Sequence, residues 1–191
     1  NRNLQQFDTA KFYLTKSLRL KERMYSFPHT EIAYTQNNLA SLYFEIGDLV
    51  YARVPQEQMG TIAEYAAVTS AAVSKKPGNI SFSEAASIPL AGLTAMQALN
   101  AVGIKENDKV LIHAGSGGVG SFAIQYAKTK GAYVYTTTST NNVEWVKALG
   151  ADRVIDYKTE DYKTVVKDAD IVFDTLGQNY TTEAFKATKE G

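Results

Sequence analysis

The sequence predicts an α/β chain whose main body is a doubly wound parallel sheet, with a short helical pair at its amino end. Three observations lead there. From residue 109 onward, short apolar runs rich in β-branched residues alternate with stretches whose apolar residues recur at helical spacing. A cluster of glycines sits between the first such run and the first such helix. Before residue 47 the apolar residues instead follow a helical period, broken at Phe27-Pro28.

Composition bounds the function classes. The 191 residues are 45% hydrophobic, enough for a real core. Twenty basic and twenty acidic side chains cancel, so the charge balance points to neither nucleic acid nor an anionic membrane. No run of eighteen apolar residues and no signal-like start is present, which sets the expectation of a cytoplasmic protein. Cysteine is absent, and with it disulfides, thiol nucleophiles and thiolate zinc sites. His29 and His113 have no ligand-like spacing, so no metal is expected and surface or strand packing is their expected role.

Taken in order, the first predicted helix uses Phe7, Ala10, Tyr13, Leu14 and Leu18 and ends near Met24. The second uses Ile32, Ala33, Leu39, Ala40, Tyr43 and Ile46, with Thr30 as its N-cap and Gly47 as its stop. Alternating apolar residues then suggest strands over 48–54 and 63–68. Ser81-Phe82-Ser83-Glu84 reads as a capping box for a helix that Pro89 is expected to interrupt, and Thr94 falls in a second helical run.

Residues 109–114 suit a buried parallel strand. Gly115, Gly117 and Gly120 fit G-x-G-x-x-G, the Rossmann-type turn. The first glycine allows the tight turn, the second lets backbone approach a pyrophosphate, and the third lets helix pack on strand. A helix over 119–130 stopped by Gly131, and a second strand over 133–138, supply the βαβ setting that the motif requires. The helix N-terminus then offers an anion site without a basic side chain, and Gly115, Ser116, Gly117, Gly118, Val119 and Gly120 become the expected cofactor-binding turn.

Where a ribose-binding carboxylate would follow, the chain reads Thr137, Thr138, Ser139, Thr140, Asn141, Asn142. Hydroxyl and amide groups can donate to a 2′-phosphate that Asp or Glu would repel, so NADP(H) is expected over NAD(H), with Thr138, Ser139 and Asn142 at that end of the site. Asn141 or Thr140 can cap the next helix, which stops at Gly150. Residues 154–157 form the third predicted strand and 169–174 the fourth, with Thr175-Leu176-Gly177 at its carboxyl end, where ligands bind in open α/β sheets.

Two resemblances refine this reading. The segments GDLVYARV, GTIAEYAAVTSAAVSKKPGNISFSEAASIPLAGLTAMQAL, the glycine stretch, LGADRVIDY and ADIVFDTLG resemble the zinc-independent medium-chain dehydrogenase/reductase superfamily, in particular its quinone oxidoreductase and enoyl-reductase-like branch. The resemblance spans 48–191, with 48–80 a remnant of the catalytic domain and 81–191 a truncated dinucleotide-binding domain; it implies an incomplete sheet. It also implies that Thr94 lies near the nicotinamide, that Tyr157 meets the adenosine 2′-phosphate, and that Leu176 and Gly177 help hold the nicotinamide side. From the residues alone, other readings stay open: Thr94 as a helix threonine bonded back to a carbonyl, Tyr157 as a rim tyrosine, and Gly177 as a turn residue. Some relatives carry lysine where Asn142 stands, so the NADP(H) preference is expected to be modest. No catalytic residue can be nominated.

The segments AKFYLTKSLRLKERM and HTEIAYTQNNLASLYFEIGD resemble tetratricopeptide repeats of the kinesin-light-chain type, which implies a helical hairpin over 1–47 and a protein partner. The two patterns meet at Gly47-Asp48, as they would in a chimera. Two functions follow: an NADP(H)-binding oxidoreductase fragment, expected to be inactive alone, or a helical interaction module fused to a reductase scaffold.

Overall fold

The computed structural model describes residues 47–54, 68, 72–177 and 179–189, together with Gln6, residues 8–10, Phe12, Tyr13, Lys16, Ser17, Arg19 and Leu20. These last ten are all helical, in the first predicted helix. The second predicted helix, and the strand expected over 63–68 apart from Val68, lie outside the described residues. The chain divides into two units, Asn1–Pro89 and Leu90–Gly191.

In the first unit, β1 (Val50–Ala52) pairs antiparallel with β2 (Val73–Lys75). The strand expected over 48–54 is therefore present but shorter, and its partner is one that sequence did not reveal. The helix α1 (Phe82–Ala101) starts on the predicted capping box: the Ser81 amide donates to Glu84 Oε2 at 2.7 Å, and the Glu84 amide donates back to Ser81 Oγ at 3.2 Å. Those bonds from Ser81 hold the Glu84 carboxyl below its ordinary range.

The expectation that Pro89 interrupts this helix is corrected, because Pro89 lies inside it. Ala85, Pro89, Gly92, Ala95 and Leu99 form one buried stripe at three- and four-residue spacing. Packing along that stripe outweighs the single amide donor that proline removes.

The second unit holds a four-stranded parallel sheet in the order β5-β4-β3-β6, formed by β3 (Lys109–Ile112), β4 (Tyr133–Thr138), β5 (Arg153–Asp156) and β6 (Ile171–Phe173). The chain steps outward from β3 to β5, then crosses back to place β6 on the other side of β3. This is the α/β, Rossmann-type, doubly wound arrangement that the sequence predicts. A parallel bridge between Ala169 and Thr188 lies beside β6.

Side chains alternate between the two faces. Val110, Ile112, Val134 and Val154 pack with Ala95 and Leu99 of α1, with Ala123, Ile124 and Ala127 of α2 (Gly118–Thr129), and with Val146 of α3 (Val143–Ala148). Leu111 and Ile155 face the other way, toward Tyr162 of α4 (Tyr162–Val165), Val166, Ala169 and Ala187. With both faces covered, β3 reads as a nearly continuous apolar run. A last short helix, α5 (Asn179–Ala184), follows β6.

Three expected boundaries shift. The strand β3 stops at Ile112 because Ala114 adopts φ +54°, a left-handed conformation that extended pairing does not allow. The strand β5 ends at Asp156, leaving Tyr157 just beyond it, and β6 is shorter than 169–174. Neither Asn141 nor Thr140 caps α3. Residues Thr140–Asn142 instead form a 3-10 turn, and no side chain caps the helix that follows.

Candidate functional site

The carboxyl ends of β3, β4, β5 and β6 open on a cleft of about 970 Å³. Its lining includes His113 and Ala114 after β3, Ser116 of the glycine turn, Thr137 to Ser139 at the end of β4, Tyr157 to Lys163 after β5, and Leu176 and Glu183 beyond β6. The position is the switch point where strand order reverses, the general ligand site of open α/β sheets.

The glycine turn shows which of its glycines the fold itself needs. A methyl group at Gly115 would run into Thr136 Oγ1 and lie 3.0 Å from Ile124 Cδ1, and one at Gly120 would run into the Ala114 carbonyl oxygen. These two positions serve internal packing. At Gly117 the nearest atom is the Ala114 oxygen at 3.2 Å, and at Gly118 it is Ala91 Cβ at 3.8 Å, an ordinary contact. Gly117 has φ −80° and ψ 167°, which any residue adopts, so its backbone does not demand glycine, although a methyl group there would press on the Ala114 carbonyl; at Gly118 packing makes no such demand. What remains is the approach of a ligand to the backbone at the start of α2.

That start carries no side-chain cap. The first-turn amides of a twelve-residue helix therefore present their partial positive charge beside Ser116. A phosphate-bearing dinucleotide fits this cradle.

On the β6 side, Asp174 builds the turn. Its Oδ1 accepts from the amides of Leu176 at 2.8 Å and Gly177 at 3.3 Å, and its Oδ2 accepts from the Thr181 hydroxyl at 2.8 Å. Burial works to raise its pKa, but the bonds from Leu176, Thr181 and Gly177 outweigh it and hold the carboxyl below its ordinary range. Gly177 has φ +69°, so the turn requires glycine there.

On the β5 side, Asp156 is nearly covered and faces Thr138 across the sheet. It bonds the Thr140 side chain and, at 3.0 Å, the Lys158 amide, and these contacts hold its carboxyl below the ordinary range. It thereby ties the end of β4 to the loop after β5. The floor of the cleft is His113, fully buried, its Nδ1 3.2 Å from Thr137 Oγ1 and its ring edge-on to Tyr162 at 4.7 Å. Burial lowers its pKa, against a smaller opposing pull from Asp174. Strand-end packing is thus its role, as expected. His29 lies outside the described residues.

Of the residues singled out from sequence, Ser116, Thr138, Ser139, Tyr157 and Leu176 line the cleft. Thr138 is 1% exposed, and its hydroxyl has no hydrogen-bond partner among the described residues. Gly115, Gly117, Gly118, Val119 and Gly120 shape the turn beside Ser116. Asn142 stands behind Ser139, donating to its hydroxyl at 3.2 Å. Thr94 is not among the lining residues, and its hydroxyl donates to the Leu90 carbonyl at 2.7 Å, the back-bonded arrangement of a helix threonine.

Sequence reasoning missed Lys158 and His113 as lining residues of the cleft and Asp156 as the group that ties two strand ends together behind it. All three stand at carboxyl ends of strands, and that placement was the available signal. Among the described residues, no group of three or more His, Cys, Asp or Glu side chains could hold a metal ion.

Comparison with known proteins agrees with this fold. Residues 118–191 match the family model for zinc-binding dehydrogenases. The chain is 40% identical over 153 residues to 2-methylene-furan-3-one reductase of Solanum lycopersicum, an alignment covering 76% of this chain and 39% of that protein. Among solved structures, it is similar to the quinone oxidoreductase of Coxiella burnetii, with TM-score 0.71 and 41% identity over 74% of this chain and 45% of that one. It is also similar to the quinone oxidoreductase of Thermus thermophilus, solved with NADPH, with TM-score 0.65 and 30% identity over 73% and 47% of the two chains. The chain thus spans about two fifths of the length of the curated relative. These likenesses support the medium-chain dehydrogenase/reductase family, quinone oxidoreductase-like branch.

Proposed function

We propose that this chain binds NADP(H) along the carboxyl edge of its sheet, as part of an oxidoreductase of the quinone-oxidoreductase or enoyl-reductase kind. The observation that carries this reading is the uncapped start of α2, where packing does not account for the missing side chain of Gly118 and backbone conformation does not account for that of Gly117. When bound there, the dinucleotide would supply the hydride chemistry. The pyrophosphate would lie on the α2 amides, the adenosine 2′-phosphate would face Ser139 and Tyr157, and the turn at Leu176-Gly177 would flank the nicotinamide side. Thr94 keeps a proposed place near the nicotinamide on resemblance alone.

Titration with NADPH and NADH, followed by nicotinamide fluorescence, tests the reading. Saturable binding that favours NADPH, and that is lost in Gly117→Val, is the expected result. Absence of binding by the wild-type chain would sink it. Turnover with quinones or enones is expected to be absent for this chain alone, because rate depends on an acceptor held at near-attack distance and no described side chain is assigned to hold one. The alternative, protein binding through 1–47, rests on the repeat-like sequence of that stretch. The cleft favours the oxidoreductase reading, and a cytoplasmic location stays with it as a proposal from the sequence. Among the described residues no helix is long and apolar enough to cross a membrane.

A further inference from the structure

The charged residues lining the cleft are almost all committed to ion pairs. Glu160 pairs with Arg153, while Lys163 pairs with Glu183 at 3.0 Å and with Asp161 at 3.8 Å. Lys158 is the exception. It lines the same cleft, its side chain is exposed, and among the described residues no carboxylate lies within ion-pair distance of its ammonium. Neutral His113 adds no charge near pH 7.

The loop that carries Lys158 is firmly placed. The Tyr157 amide donates to the Thr138 carbonyl at 3.1 Å, the Lys158 amide donates to Asp156 Oδ1 at 3.0 Å, and the Thr159 and Glu160 amides both donate to the Asp156 carbonyl. Asp156 is opposite Thr138 in the register. These bonds fix Lys158 one residue beyond Tyr157, at the rim that Ser139 shares. The Asp156 carboxylate lies nearly covered behind that rim, bonded to the Lys158 amide and the Thr140 side chain, and its nearness to Lys158 favours its charged form. Without the lysine, the ends of β4 and β5 would carry a net negative charge that repels a phosphate dianion.

We propose that Lys158 is the specificity-determining residue of the cleft: its ammonium takes the 2′-phosphate of the dinucleotide and supplies the positive charge that Asn142 does not bring. This rests on the dinucleotide reading given above. A charge-assisted contact of this kind acts only on the phosphorylated cofactor, so it discriminates where the amides of α2 do not.

The test compares wild type with Lys158→Ala and Lys158→Arg, titrated with NADPH, NADH, adenosine 2′,5′-bisphosphate and AMP. Lys158→Ala should weaken NADPH and the bisphosphate about tenfold, leave NADH and AMP within about twofold, and flatten the salt dependence of NADPH binding. Lys158→Arg should restore most of the loss. An unchanged affinity for NADPH, or equal weakening of NADPH and NADH, would overturn the role of Lys158 and leave dinucleotide binding standing. A wild-type chain that binds neither cofactor would overturn both.

Discussion

The Cα of Gly120 packs directly against the Ala114 carbonyl, so a methyl group at 120 would lie 2.9 Å from the carbonyl carbon and inside contact distance of its oxygen. Both atoms are backbone, and Ala114 is held at φ +54° by the turn, so neither can give way cheaply. Gly120→Ala should therefore destabilise the fold by about 2 kcal/mol, within the range for overpacking a tight core, and Gly115→Ala should behave likewise against Thr136. Gly118→Ala should leave stability within about 0.5 kcal/mol yet weaken NADPH binding. Urea denaturation beside cofactor titration separates the two pairs, and equal stability losses at 118 and 120 would contradict the division.

Asp174 organises the turn at residues 175–177 through three hydrogen bonds from Leu176, Gly177 and Thr181. Asp174→Ala removes both acceptor oxygens, and with them all three bonds, while leaving the residue's place after β6. The expected cost is about 1 to 2 kcal/mol in stability, with weaker NADPH binding because the turn no longer holds one shape. Asp174→Asn, which keeps an acceptor oxygen, should recover part of the binding. The pair of variants in calorimetry checks this.

Ser139 faces the cleft at the end of β4, with its hydroxyl accepting from Asn142. Ser139→Asp should set a second carboxylate beside Asp156 and repel a 2′-phosphate, shifting preference toward NADH by about tenfold. Competition between the two cofactors reads the ratio. An unchanged ratio would mean that the 2′-phosphate lies elsewhere.

How much of this the sequence carried depended on how local the cause was. The bounds of β4 were legible because an apolar run rich in β-branched residues sits between Gly131 and Ser139. The capping box was legible because Ser81 and Glu84 act on each other three residues apart. Pro89 misled because the stripe from Ala85 to Leu99 overrides it, and burial of that stripe is a tertiary fact. The strand β2 has only three residues and α4 only four, too short for any period to show. The charged wall of the cleft was hidden for the same reason, since Lys158, Glu160, Asp161 and Lys163 lie in a loop and a single turn. Amide exchange should follow the pairing found here: slowest in β3 and β4, which have a strand on each side, and faster in β5. Equal exchange in all four strands would contradict the sheet order.

His113 gives the fold a dependence on pH whose sign can be worked out. It is fully buried between Thr137 and Tyr162, and burial holds its pKa below the ordinary 6.5, with Asp174 opposing only in part. Below 6.5 the unfolded chain takes up a proton at this residue while the folded chain does not, so the unfolded state binds more protons and stability falls as pH falls. Above 6.5 both states are neutral and the contribution is constant. His113→Gln keeps a polar group for Thr137 but removes the titration. Unfolding free energies measured from pH 8 to pH 5 should then show wild type losing stability relative to the variant as the solution is acidified through 6.5. A difference between the two proteins that stays constant across this range would mean that His113 is protonated as easily in the fold as in the open chain, against its burial.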